Sequence, residues 1–433
     1  MKKLILAFII CPLLTWAQNS ISGTFIPASE FKAAILYKLE LANTVYIDNA
    51  TITDGHFNLK ADAGLKPGMY RIVYALPQEQ YNFDFIYNNE NIVFTFDQDK
   101  GVSFQSSEEN TLLSDYRDHM QEHKARINSI YNEPTPNTSE YLQVIKDLNK
   151  TQTQFEKASE GTIAHHFIIA EKPYIPEGYE DAETFFNNYK THFFDSIDFN
   201  DTVLQNSGFL IETCLNYVFI FVDQTQPNTT FQNNIDHVVQ ATSKAPQIQK
   251  TLLEILWTQF KNQQNETVAN YISTKYLIDT LDPVADKVLL QEIKAFKNTA
   301  LGNKAPEFSW TDQGIKTQLS DLEGKDFYII TFWSSTCSHC LNELPVLKDY
   351  LKNKSNIQVI AIGLEDEPGH WKQTIKNYPD FTQIYGEGHW DNPISIDYGV
   401  TGTPSFFVLD KNKVIQAKPD DVEELISYLD LQL

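Results

Sequence analysis

The sequence predicts a multidomain protein with an N-terminal β-sandwich-like domain, a central all-α domain and a C-terminal α/β domain. Three observations support this prediction. Short alternating strands with turn residues between them occupy residues 18–104. Apolar residues recur at intervals of three and four through residues 105–300. Over residues 301–433, apolar strands alternate with helix-like segments, a pattern typical of a central sheet covered on both faces.

The first 17 residues have the pattern of a cleavable signal peptide. A basic start is followed by an apolar run over residues 4–14, and small residues up to Ala17 suit a signal peptidase. The run is roughly ten residues long, which is too short to span a bilayer. A buried first helix or a retained anchor is the alternative. We expect cleavage after Ala17, no membrane span after it, and a periplasmic or otherwise extracytoplasmic mature protein.

Charge and cysteine content exclude several classes of protein. The net charge of −23 argues against binding to nucleic acid or to an anionic membrane surface. Three cysteines follow the signal peptide, Cys214, Cys337 and Cys340, which are too few for a disulfide-stapled scaffold. Cys214 lies in the aromatic-rich segment 209–221, where we expect a small buried hydrophobe inside the most buried helix of the central domain.

Individual elements follow from local patterns. Strands are expected at residues 21–25, 57–60, 70–74 and 92–96, with turns such as Asp54-Gly55 between them. In the C-terminal domain we expect strands at 327–333, 357–363 and 405–409, a hairpin into 414–415, and helices from Cys340, near 371–378 and over 421–431. Residues 302–306 have the composition of a linker at the domain boundary.

The tetrapeptide Cys337-Ser338-His339-Cys340 lies between strand 327–333 and a helix. A thiol at the start of a helix faces unpaired N–H groups and the positive end of the helix dipole, which favour a thiolate. A second thiol three residues later lies on the same helical face and is placed to close a disulfide. This pattern indicates a thiol–disulfide redox site. Half of a zinc site is the alternative, although no second C-x-x-C or C-x-x-H follows.

Several spaced motifs carry a resemblance to a known family. They are Ala305-Pro-Glu-Phe308, residues 319–324, Trp333 placed four residues before the first cysteine, and residues 399–404 ending in Thr403-Pro404. Residues 301–433 resemble the thioredoxin superfamily, and more narrowly the extracytoplasmic TlpA/ResA-like thiol–disulfide oxidoreductases. The preceding residues resemble the β-rich and helical extensions of Bacteroidetes-type proteins.

The resemblance implies a role for each site residue. Cys337 would be the nucleophile, and Cys340 the resolving thiol that stays shielded until a mixed disulfide forms. Thr403-Pro404 resembles the cis-proline loop, which faces the cysteines and pairs with bound substrate. Together with Trp333, these two residues would contact the substrate.

Two further residues are expected to tune the chemistry. His339 stands where thioredoxin has proline and where more oxidising relatives have histidine, so the site should be less reducing than that of thioredoxin. Glu343 matches a ResA-like glutamate that would relay the proton of Cys340. Thr331 stands where thioredoxin instead has an aspartate. The alternatives are an exposed histidine without effect and a solvated surface glutamate.

These observations together predict a thiol–disulfide oxidoreductase that reduces or reshuffles disulfides of exported proteins. No cofactor or metal is expected, and an upstream membrane thiol donor is a candidate partner. The competing hypothesis is an extracytoplasmic protein-binding module with an incidental redox site. A peroxidase would need a Pro-x-x-x-Thr-x-x-Cys motif, which is absent, and copper-delivery relatives space their cysteines one residue wider.

Overall fold

The computed structural model describes residues 19–433 except residues 42, 62, 63 and 313. The expected signal peptide, residues 1–17, lies outside the described residues. The chain divides into two compact units, one up to Leu252 and the other Leu253–Leu433. Residues 253–300, which the sequence assigns to the central helical domain, therefore group with the C-terminal α/β part.

Two four-stranded sheets face each other in the N-terminal part. Their strand orders are β4-β1-β7-β8 and β3-β2-β5-β6. Phe25 and Phe94 of the first sheet share one core with Leu36 and Tyr70 of the second, which confirms the predicted sandwich-like arrangement. The strands are β1 Ser20–Ile26, β2 Ala33–Glu40, β3 Asn43–Thr51, β4 His56–Lys60, β5 Gly68–Val73, β6 Asn82–Tyr87, β7 Ile92–Asp97 and β8 Gly101–Ser106.

The central part is helical, as predicted. Several helices begin where a side chain accepts a hydrogen bond from a free backbone N–H, as Ser107 and Asn137 do. Cys214 is fully buried in α6, and burial raises the pKa of its thiol to about 12. The helices are α1 Glu108–Tyr131, α2 Thr138–Ala158, α3 Ile163–Ala170, α4 Ala182–Thr191, α5 Thr202–Gln205, α6 Phe209–Ile220, α7 Pro227–Ala241, α8 Pro246–Asn262, α9 Glu266–Ile272, a π-helical turn Ser273–Leu277, and α10 Lys287–Asn298.

The C-terminal part contains a five-stranded sheet of order β13-β12-β11-β14-β15 with helices beside it. The elements are the hairpin β9 Ser309–Asp312 and β10 Ile315–Gln318, then β11 Phe327–Trp333, α11 Ser338–Leu351, β12 Ile357–Glu365, α12 Pro368–Thr374, β13 Thr382–Glu387, α13 Pro393–Tyr398, β14 Ser405–Asp410, β15 Ile415–Ala417 and α14 Val422–Gln432, with 3-10 turns Leu319–Asp321, Ile375–Asn377 and His389–Asp391. Separate cores cover the two faces, one around Trp333 and Leu425 and the other around Phe332 and Tyr398. The predicted thioredoxin-type α/β domain is confirmed.

Strand pairing sets the position of the site. The central strand β11 runs parallel to β12 and antiparallel to β14, and Phe332 lies opposite Ser405. The C-terminal end of β11 and the N-terminal end of β14 therefore lie side by side at the same end of the sheet. The loop after β11 carries Cys337, and the loop before β14 carries Thr403.

The segment predicted as a linker is part of the sheet edge. The N–H of Gly302 donates to the carbonyl of Ile415 at 2.8 Å, and the N–H of Ile415 donates to the carbonyl of Asn303 at 2.8 Å. Residues 302–303 thus extend the ladder beyond β15, because backbone groups at a strand edge need partners.

Candidate active site

Cys337 is the N-cap of α11 and is half-buried. Its Sγ accepts a hydrogen bond from the N–H of Cys340 at 3.2 Å, and its thiol donates to the carbonyl of Thr403 at 3.3 Å. Burial by itself would raise the pKa of Cys337. Hydrogen bonds with the side chains of Cys340 and Thr403, and with the backbone N–H groups of Cys340 and His339, outweigh it and lower that pKa.

Cys340 lies in the opposite environment. Its side chain is 0% exposed and packs with Trp333 and Leu344 in the core. Burial, and then the neighbouring Cys337, raises the pKa of this thiol to about 12. Both cysteines are free thiols in this structure. One sulfur is therefore accessible and easily ionised, whereas the other is shielded and held as the neutral thiol.

The loop before Cys337 is fixed by a buried carboxylate that sequence reasoning missed. Glu365 is 4% exposed, and its Oε1 accepts a hydrogen bond from the N–H of Ser335. The Ser334 carbonyl accepts from the N–H of Cys337 at 3.2 Å. An acidic residue that ends a mostly apolar strand next to β11 is the pattern that could have revealed Glu365, since the carboxyl ends of parallel strands meet at the same end of the sheet.

The residues predicted to contact substrate differ in exposure. Thr403 and Pro404 are half-buried beside Cys337, and the peptide bond between them is cis. Trp333 is 0% exposed and packs edge-on against Tyr378. The structure thus places the Thr403-Pro404 loop at the thiol but places Trp333 beneath it, in the core. A direct substrate contact by Trp333 stays a prediction.

Glu343 is half-buried on α11, and its Oε2 accepts a hydrogen bond from the N–H of Val422 at 3.0 Å. Burial raises the pKa of Glu343, the Val422 N–H opposes that shift, Asp421 adds to it and His339 opposes it. The carboxylate therefore lies at the N-terminus of α14, where the helix dipole favours a negative charge.

His339 and Thr331 occupy different depths. The His339 side chain is exposed, and its backbone N–H is one of the groups that lower the pKa of Cys337. Thr331 is fully buried in the middle of β11, and its Oγ1 has no hydrogen-bond partner among the described residues. The structure thus brings together Cys337, Cys340 and Thr403, while the His339 ring points to solvent.

Metal and membrane features are absent from the described chain. Within its residues, no group of three or more His, Cys, Asp or Glu side chains is placed to hold a metal ion. No helix in that same part of the chain combines the length and the apolar content needed to cross a membrane.

Comparisons with known proteins agree with this architecture. Residues 301–418 match the AhpC/TSA family, and residues 20–113 match a domain family of unknown function, DUF4369. The thiol-disulfide oxidoreductase ResA of Bacillus thuringiensis is 33% identical over 136 residues, which cover 30% of this chain and 76% of that protein. The chain belongs to the ResA-like thiol–disulfide oxidoreductases. This ResA-like chain is therefore an enzyme, and its family match lies in the thioredoxin-like α/β part.

Solved structures similar to this ResA-like chain include proteins from Bacteroides species. The thioredoxin domain of a thiol-disulfide oxidoreductase from Bacteroides vulgatus is 22% identical, with a TM-score of 0.28, and the match covers 31% of this chain and 97% of that one. A thioredoxin-like protein from Bacteroides caccae is 17% identical, with a TM-score of 0.43, and the match covers 60% of this chain and 98% of that one.

Proposed function

We propose that the protein reduces or reshuffles disulfides of exported proteins through Cys337 and Cys340. The contrast between the two thiols carries the proposal. Cys337 is accessible and its pKa is lowered, whereas Cys340 is buried and its pKa is raised to about 12. Such a pair separates the roles of attacking and resolving thiol, because the thiolate is the nucleophile in disulfide exchange.

The exchange takes place in two displacements. The Cys337 thiolate attacks one sulfur of a client disulfide, forms a mixed disulfide and releases the other client sulfur as a thiolate, which takes up a proton. The Cys340 thiolate then attacks Cys337 Sγ, closes the Cys337–Cys340 disulfide and releases the second client thiol. Two electrons pass from the protein to the client. An upstream membrane thiol donor returns the site to the dithiol, and the reverse sequence oxidises a client.

Neighbouring groups support each displacement. The Thr403 carbonyl lies 3.3 Å from Cys337 Sγ, where the backbone of a bound client would pair with this loop. In the second displacement Cys340 must lose its proton inside the core. Glu343 acts as the base for this step, because burial raises its pKa towards the pKa of the Cys340 thiol. It follows Cys340 by three residues, on the same side of α11.

The site works outside the cytoplasm in this proposal, on clients that carry disulfides or thiols. The signal-peptide pattern of residues 1–17 supports export. Recovery of the protein from the periplasmic fraction, with an N-terminus beginning after Ala17, tests this location. Protein that stays in the cytoplasmic fraction with residues 1–17 intact would refute it.

The activity is tested by insulin-disulfide reduction with dithiothreitol as donor. Cys337→Ser should abolish turnover. Cys340→Ala should accumulate mixed disulfides with clients, and a reductant should cleave these mixed disulfides. Cys214→Ala is the matched control, since this buried thiol lies in the other compact unit and should leave turnover unchanged. Full activity in Cys337→Ser would overturn the assignment of the site.

A further inference from the structure

The loop before α14 determines where the partner of Glu343 lies. Val422 is the first residue of α14, and its N–H donates to Glu343 Oε2 at 3.0 Å. Residues 418–421 connect β15 to this N–H. A displacement of that loop would therefore move the backbone donor that holds the Glu343 carboxylate.

Two contacts hold the loop, one from Glu266 at the start of α9 and one from Gln264 two residues earlier, and a further contact holds Glu266 itself. Glu266 Oε1 forms an ion pair with Lys418 Nζ, and Glu266 Oε2 accepts a hydrogen bond from the N–H of Leu301 at 3.1 Å. The side chain of Gln264 donates to Asp420 Oδ1 at 3.3 Å. The Glu266 and Lys418 side chains are only 19% and 25% exposed, so water screens this pair less than an exposed one.

The loop is stiff enough to transmit the position of Lys418 to Val422. Pro419 follows Lys418, and proline fixes its own φ and restricts the residue before it. Asp421 then caps α14 by accepting from the N–H of Glu424 at 2.9 Å. Only residues 419–421 separate Lys418 from the first residue of α14, and their backbone is restrained, so a displacement of Lys418 should displace the helix start as well.

We propose that Glu266 and Lys418 form a clamp that positions the N-terminus of α14 against Glu343 for its proton exchange with Cys340. The clamp rests on the proposed role of Glu343 as the base. Glu266 is thus a positioning residue of the redox reaction, although it precedes the region that matches the AhpC/TSA family. It acts through the loop and does not contact the thiols.

Release of the clamp should change the pH dependence of turnover. The charged groups that face Glu343 are Asp421 and Glu423 on the α14 side and His339 on α11. The Val422 N–H lowers the pKa of Glu343 against burial, so its displacement raises that pKa. Since the base must be ionised to accept a proton, the acid limb of kcat should then move to higher pH.

The test compares pH profiles of insulin reduction at saturating insulin. Glu266→Gln keeps the size of the side chain and removes its charge, and we expect its acid limb to lie roughly half to one pH unit above that of the unaltered protein. Glu266→Asp keeps the charge on a shorter side chain, so its acid limb should shift less than that of Glu266→Gln. Glu343→Gln should remove the limb altogether, which tests the base independently of the clamp.

A matched control breaks a contact at the other end of the same helix. Asp430 accepts from the Tyr350 hydroxyl at 2.6 Å and lies 3.7 Å from Lys354 Nζ. Asp430→Asn should lower the melting temperature without moving the acid limb. A Glu266→Gln variant that behaves like this control would overturn the clamp while Glu343 keeps its role. An unaltered limb in Glu343→Gln would overturn the relay and the clamp together.

Discussion

Selective alkylation of Cys337 is the most direct consequence of the two thiol environments. Reduced protein treated with limiting iodoacetamide at pH 7 should be modified at Cys337 first. Only the thiolate reacts, and the pKa of Cys337 lies below the ordinary value of 9.0 while that of Cys340 is raised to about 12. Cys214, buried and with a pKa also raised to about 12, is an internal reference within the same chain.

The size of the preference follows from these pKa values. At pH 7 about 1% or more of Cys337 is ionised, against roughly 0.001% of Cys340, a ratio of at least about 1,000. A thiolate of higher pKa is the stronger nucleophile, so the Cys340 thiolate is intrinsically roughly 15- to 30-fold more reactive, which offsets part of that ratio. A preference of at least about 30-fold therefore remains from ionisation alone. The complete burial of Cys340 increases it further.

Peptide mapping of the alkylated protein by mass spectrometry measures this ratio. The same reaction in guanidinium chloride is the control, since an unfolded chain should label its three mature cysteines at similar rates. Equal labelling of Cys337 and Cys340 in the folded protein would refute the assignment of nucleophile and resolving thiol.

Two further predictions concern the potential and the extent of the redox unit. His339→Pro should lower the reduction potential by roughly 30 mV, because it removes the N–H that stabilises the Cys337 thiolate and so weakens the dithiol state. His339→Ala keeps that N–H and is the control. Glutathione titration measures the reduction potential of both variants, and an equal fall in potential would assign the effect to the imidazole ring instead. A fragment of residues 253–433 should melt at a higher temperature than one of residues 301–433, although both reduce insulin, because α10 packs on α13. Equal melting temperatures would show that residues 253–300 do not stabilise the α/β fold.

Much of the C-terminal fold could be predicted because its central strands are continuous apolar runs. The predicted limits of β11, β12 and β14 agree with the observed ones to within two residues. The peptide bond before Pro404 is cis, as the resemblance of this loop implied. β13 was missed, because Thr382–Glu387 lies at the edge of the sheet and has few buried side chains. Likewise β3 is almost wholly exposed, so pairing with β2, rather than burial, defines it.

The site shows what a sequence pattern does not reveal. The placement of Cys337 and Cys340 at the start of a helix followed from the C-x-x-C spacing together with the apolar strand before it and the helical pattern after it. The sequence predicts that His339 tunes the redox potential, and the structure adds that its side chain is exposed while its backbone N–H faces the thiol. Residues 302–303 looked like a linker because backbone hydrogen bonds leave no trace in side-chain composition. Tertiary pairing of this kind becomes visible only in the structure.

The opposition of Phe332 and Ser405 across β11 and β14 has a consequence for sequence-length variation. Cys337 lies five positions after Phe332, and Thr403 lies two positions before Ser405, so both loops are measured from the same pair of opposed residues. An inserted residue in either loop would move the sulfur away from the Thr403 carbonyl or turn the strand over. Homologues should therefore keep both loop lengths fixed, whereas the turn at Lys411–Asn412 lies at the opposite end of β14 from Thr403, so its length does not set the position of the sulfur.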